Sequence, residues 1–157
     1  MKNKVASILH ISLLMMVLSA CNTVTNKVVN SLGNFKKYEY YSEGGFQDYT
    51  DYAKYYFDSV DFTSNKYFKS IQPTDLMLLN EHLDDFENWI EYYKREDALS
   101  KLVIHYDFNR SCIDDNDYLY ICSQKYDLDN GKTEIVSYDV YFYDCQTNIL
   151  FYFHNNI

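Results

Sequence analysis

Hydrophobic residues change their period several times along this chain. From Val5 to Leu18 the sequence is almost wholly apolar, interrupted only by Ser7, His10 and Ser12. Tyr49, Tyr52, Ala53, Tyr56, Phe57 and Val60 then recur at helical spacing and predict a short first helix. Leu76, Leu79, Leu83, Phe86, Ile90 and Tyr93 follow three or four apart, a single apolar stripe that predicts a longer second helix. Pro73-Thr74-Asp75 reads as its start, with Thr74 as the N-cap and Asp75 favoured at the positive end. Glu81, Asp84, Asp85, Glu87 and Glu91 lie largely off the stripe and read as a solvated face, while Trp89 beside it reads as core.

From Lys101 the period becomes two. Leu102, Ile104, Tyr106 and Phe108 alternate with Lys101, Val103, His105 and Asp107, which predicts a strand. Asp114-Asp115-Asn116 breaks the chain, and further strands are expected near 117–126, 133–144 and 148–154. Asn130-Gly131 is the preferred pair for a two-residue hairpin turn, and residues whose numbers sum to 261 then face each other. That sets Leu119 against Phe142 and Ile121 against Val140 on one face, with Tyr118 against Tyr143 and Tyr120 against Tyr141 on the other. A second turn at Gln146-Thr147 makes opposed numbers sum to 293. Phe142 then meets Phe151 and Val140 meets Phe153, while Tyr141 meets Tyr152, Tyr143 meets Leu150 and Asp139 meets His154. Both turns sort the same residues to the same faces, and a slip of one residue in either scrambles that sorting. The fold class is therefore α+β: one or two N-terminal helices packed on a C-terminal antiparallel meander of about four strands.

Composition narrows the function classes. The chain has 157 residues, and its 14 basic against 23 acidic side chains give a formal charge of −9. That balance argues against nucleic acid, whose binding rests on Lys and Arg neutralising phosphates. Glycine stands only at positions 33, 44, 45 and 131, so no glycine-rich phosphate cradle is present. The histidines at 82, 105 and 154 form no metal-binding pair, no GxSxG or SxxK element occurs, and no catalytic residue, metal or cofactor is expected. The Asp127 to Gly131 segment departs from a calcium loop, since Gly stands fifth rather than sixth and Tyr138 occupies the twelfth position.

The N-terminus reads as an export address. Lys2 and Lys4 precede an apolar run of 14 residues. As a helix that run rises about 21 Å, short of the roughly 30 Å of a bilayer core. A basic start and short apolar run form the pattern of a secretory signal peptide. Leu18-Ser19-Ala20-Cys21 resembles the lipobox of bacterial lipoproteins. The resemblance implies that Cys21 receives a diacylglyceryl group and becomes the first residue of the mature chain after cleavage by a type II signal peptidase. It further implies a membrane partner through the lipid on Cys21 and a location on the outer side of the cytoplasmic membrane. The expected organisation is a signal peptide over 1–20, the lipidated Cys and a polar tether over 21–34, and one α+β domain over 35–157. Loss of Lys2 and Lys4 leaves 12 basic against 23 acidic residues, a mature charge of −11. The ending Ile149-Leu150-Phe151-Tyr152-Phe153-His154-Asn155-Asn156-Ile157, with Tyr141-Phe142-Tyr143-Asp144 before it, resembles small uncharacterised lipoproteins of low-GC Gram-positive bacteria.

Two features bear on what the domain does. Cys112, Cys122 and Cys145 remain after Cys21, an odd number that leaves at least one thiol free or paired between molecules. On the second face of the sheet Tyr118, Tyr120, Tyr141, Tyr143 and Tyr152 gather five aromatic rings with hydroxyl handles. If open, such a patch is a recognition face for a protein or glycan partner; otherwise residues 35–60 fold over it. The expected function is a membrane-anchored, non-catalytic binding or accessory module, with an envelope hydrolase as the alternative.

Overall fold

A computed structural model describes residues 27–45, 48–127 and 133–156. The chain divides into two compact units, residues 1–34 and Phe35–Ile157. Within the first, residues 27–30 form a helical turn, and Val28, Val29 and Leu32 are buried.

The second unit is an antiparallel sheet with a long helix. Its elements in chain order are β1 (Lys37–Gly44), β2 (Tyr49–Tyr56), β3 (Lys69–Ser70), α1 (Pro73–Glu96), α2 (Lys101–His105), β4 (Tyr118–Asp127), β5 (Thr133–Asp144) and β6 (Ile149–Asn156). A short 3₁₀ turn over Arg110–Cys112 precedes β4. The sheet has six strands in the order β1-β2-β6-β5-β4-β3. The architecture is α+β, with six strands where about four were expected.

The two extra strands that count are β1 and β2. Most of residues 35–60 extend the sheet rather than cover it, as β2 pairs with β6 along its whole length. Tyr49, Tyr52, Ala53 and Tyr56 therefore belong to a strand, not a helix. Thr50, Asp51, Tyr52, Ala53 and Lys54 are all buried. A strand covered on both faces loses the alternation that identifies strands, and an accidental helical spacing is then all that remains. The opposite error falls on Lys101–His105, where an alternating run is one short helix. Ser100 caps it by accepting the Val103 N–H, and five residues are too few for either period to declare itself.

The meander follows the expected register. Tyr118 pairs with Tyr143, Leu119 with Phe142, Tyr120 with Tyr141 and Ile121 with Val140. The register then shifts between Gln124 and Lys125, a bulge that the turn arithmetic does not foresee. The last hairpin holds the sum of 293 from Ser137 with Asn156 to Asp144 with Ile149. The Asn130-Gly131 turn and most of the Asp127–Gly131 loop lie outside the described residues.

Helix α1 is longer than its stripe. Its N-cap is Gln72 rather than Thr74, because Pro73 supplies a preset φ at the first helical position. The Asp75 carboxylate accepts the Gln72 backbone N–H at 3.0 Å. Leu79, Leu83, Phe86 and Ile90 are buried and join Tyr52, Leu119, Val140, Phe142 and Phe153 in one core between helix and sheet. Phe108 sits among Phe142, Phe151 and Phe153, with ring centroids 4.9 to 5.6 Å away.

Candidate functional site

Helix α1 and strand β5 enclose a groove of about 410 Å³. Glu81, His82, Asp84, Asp85 and Asn88 line the helical wall, and Ile135 and Tyr138 line the other. Three of the seven, Glu81, Asp84 and Asp85, belong to a face expected simply to be solvated. Of the lining residues, Tyr138 belongs to a polar cross-strand row under the helix. Thr50, Asn155, Tyr138 and Ser123 are successive neighbours on β2, β6, β5 and β4.

That row is tied to the helix bond by bond. The Tyr138 hydroxyl donates to Asp85 Oδ2 at 2.8 Å, and Asn155 Nδ2 donates to the same oxygen at 3.2 Å. Thr50 Oγ1 donates to Asn155 Oδ1 at 2.9 Å and stands 3.3 Å from the Tyr93 hydroxyl. His82 stacks on the Tyr138 ring with centroids 4.6 Å apart, and its Nε2 lies 3.0 Å from Ser123 Oγ. Burial lowers the His82 pKa, although Glu81 and Asp85 pull the other way. Burial, reinforced by the Asp85 carboxylate, raises the Tyr138 pKa. A serine hydroxyl beside an imidazole at this distance has the geometry of a nucleophile and its base. Here His82 lines the groove and Ser123 does not. The pair fastens helix to sheet. At the outer rim Arg110 meets Glu87 at 2.8 Å and Asp84 at 2.7 Å.

The expected tyrosine face is not one open patch. Tyr141, Tyr143 and Tyr152 are buried, and only Tyr118 and Tyr120 are half-buried. Phe62 lies flat on Tyr118 at 3.8 Å, and Phe57 and Phe62 both close on Tyr143. Phe68 reaches Tyr120 and Tyr141 at 6.4 Å. Over Tyr118, Tyr120, Tyr141 and Tyr143 the cover is thus the connection from β2 to β3, not residues 35–60 as a whole. Hydroxyls of this face find internal partners as well: Tyr143 donates to Asn148 and Tyr152 to Asp139. Five tyrosines on one face therefore reflect a sheet buried on both sides near its centre.

The remaining expectations divide. His154 and Asp139 do meet, with Nδ1 3.0 Å from Oδ1. Cys112, Cys122 and Cys145 are free thiols. Burial and the nearby Asp117, Asp144 and Asp114 carboxylates push Cys112 and Cys145 up to about 11. Neither is therefore a ready nucleophile. Cys21 lies outside the described residues. Among the described residues no three His, Cys, Asp or Glu side chains converge as a metal site, and no helix is long and apolar enough to cross a membrane. No protein-family model, no curated protein and no solved structure matches the chain.

Proposed function

We propose that this chain is an exported lipoprotein, held on the outer side of the cytoplasmic membrane by lipid on Cys21. Its folded body is a non-catalytic binding or accessory module. The single observation that carries the reading is Leu18-Ser19-Ala20-Cys21, standing directly behind a basic start and an apolar run of 14 residues. Two acyl chains anchor a protein stably where one gives only marginal binding. A mature charge of −11 keeps the body itself off anionic lipid, so the lipid alone does the holding.

The contact surface of the module is the α1 groove rather than the tyrosines. The groove offers Glu81, Asn88 and the half-buried Asp85 to a partner, whereas Tyr141, Tyr143 and Tyr152 are enclosed. The partner is a protein or a glycan, and neither catalysis nor a cofactor enters. Metabolic labelling of cells with a clickable palmitate analogue tests the anchor. The native chain is expected to take up label and sediment with membranes, and Cys21→Ala is expected to do neither. Label retained by Cys21→Ala would sink the proposal.

A further inference from the structure

The face of the sheet opposite α1 carries a polar row of its own. The pairing sets Ser42 of β1 beside Asp51 of β2, Asp51 beside His154 of β6, and His154 beside Asp139 of β5. Asp139 Oδ1 accepts the Tyr152 hydroxyl at 2.7 Å and lies 3.0 Å from His154 Nδ1. A carboxylate at Nδ1 fixes the tautomer with the proton on that nitrogen and leaves a lone pair on Nε2. That Nε2 is buried with no hydrogen-bond partner among the described residues, and so is Oδ1 of Asp51. Asp51 is only 5% exposed and His154 8%. Tyr40 and Ser42 hydrogen-bond the Asp51 carboxyl group, yet burial still raises its pKa. Two bare acceptors on paired residues of adjacent strands is an arrangement that folded proteins avoid unless something fills it.

We infer that Asp51 Oδ1 and His154 Nε2 form a binding site for the ammonium head of a primary amine. Both atoms accept, so the occupant must donate twice; one of them belongs to a carboxyl group, so a positive occupant is favoured. Side chains directly opposite on antiparallel strands start about 4.5–5.5 Å apart at Cβ, a gap that one –NH₃⁺ group bridges. The Tyr49 ring stands 4.9 Å from the His154 ring, and aromatic faces attract ammonium. A divalent cation also meets acceptors of this kind, but among the described residues no third ligating side chain converges with these two. The site lies on the other face of the sheet from the α1 groove and is independent of the lipid anchor.

The test is nitrogen NMR of the histidine side chains in the full chain in detergent micelles, titrated with methylammonium chloride. Tetramethylammonium chloride at equal ionic strength is the control, because it carries the charge without an N–H donor. His154 Nε2 is expected to shift saturably with methylammonium and with n-butylammonium, and not with the control. Asp51→Asn, which keeps the shape and removes the charge, is expected to weaken binding about tenfold or more. His154→Gln supplies a second variant, read on the Asp51 carboxyl carbon, with the fold of each checked from the Trp89 indole signal. An unsaturable response overturns the inference, as does an equal response to tetramethylammonium or unchanged affinity in a folded Asp51→Asn chain. A response to zinc in place of the amines overturns it too.

Discussion

Asp85 is one of the points at which helix and sheet are joined through polar atoms, and the cost of removing it follows from which atoms are left behind. Its Oδ2 accepts from both Tyr138 and Asn155. Tyr138 is 2% exposed and Asn155 1%, so both donors are shielded from water in the folded chain and depend on the carboxylate for a partner. A buried donor left unsatisfied costs about 1–3 kcal/mol, so Asp85→Ala is expected to cost about 2–5 kcal/mol. Tyr138→Phe removes the same bond from the other side. Asp85 itself is only half-buried and can take a water instead, so that variant is expected to cost about 1 kcal/mol. In the double variant the phenol is no longer orphaned, and its loss should fall short of the sum by about 1–2 kcal/mol. Urea unfolding followed by the fluorescence of Trp89, which lies on the same helix, measures all three. Equal costs for the two single variants, or strict additivity, would refute the view that burial of the donors sets the energy.

Gly44 ends β1 at φ +116°, and a Cβ there would stand 2.4 Å from the Asp48 carbonyl oxygen. Gly44→Ala should cost about 2–3 kcal/mol in the same unfolding assay, whereas Gly45→Ala, with open space around it, should stay within about 0.5 kcal/mol. Stability should also depend on pH through His82, whose folded pKa lies below the ordinary 6.5 because it is buried. The unfolded chain takes up that proton first, so the contribution is complete above 6.5 and falls as pH drops from there toward the lowered folded value. A His82→Asn chain that keeps the same slope across that window would show that the proton belongs elsewhere.

The meander was legible because its residues obey two independent constraints at once. Turn arithmetic and face sorting agree for Leu119, Val140, Phe142, Phe151 and Phe153, and a wrong register would have split them. Strand β2 was not legible, because a partner that covers both faces is a tertiary fact that leaves no alternation in Tyr49–Tyr56. Helix α2 failed for the opposite reason: its capping residue, Ser100, decides it, and five residues carry too little pattern. The tyrosine face was placed correctly on the sheet, but its accessibility depended on where Phe57, Phe62 and Phe68 go. That connection has no periodic signal to read.

The polar seam was within reach of the same arithmetic that found His154 opposite Asp139. Ser123 opposes Tyr138 and Tyr138 opposes Asn155 under the two expected turns, and β2 then adds Thr50 to the row. One residue along, Asp139, His154 and Asp51 form the neighbouring row on the other face. The sheet is therefore polar on both faces at one level and aromatic at the next, where Ala53, Tyr152 and Tyr141 follow. Alternation makes this possible, since adjacent residues on a strand serve opposite faces. Stability argues against placing two polar rows back to back inside a sheet unless each finds partners. The row beneath α1 finds them in His82, Asp85 and Tyr93. The other row is bonded through Asp139, Tyr40 and Ser42, and among the described residues an oxygen and a nitrogen of it have no partner. Unequal satisfaction of two otherwise matched rows assigns structure to the first and ligand binding to the second.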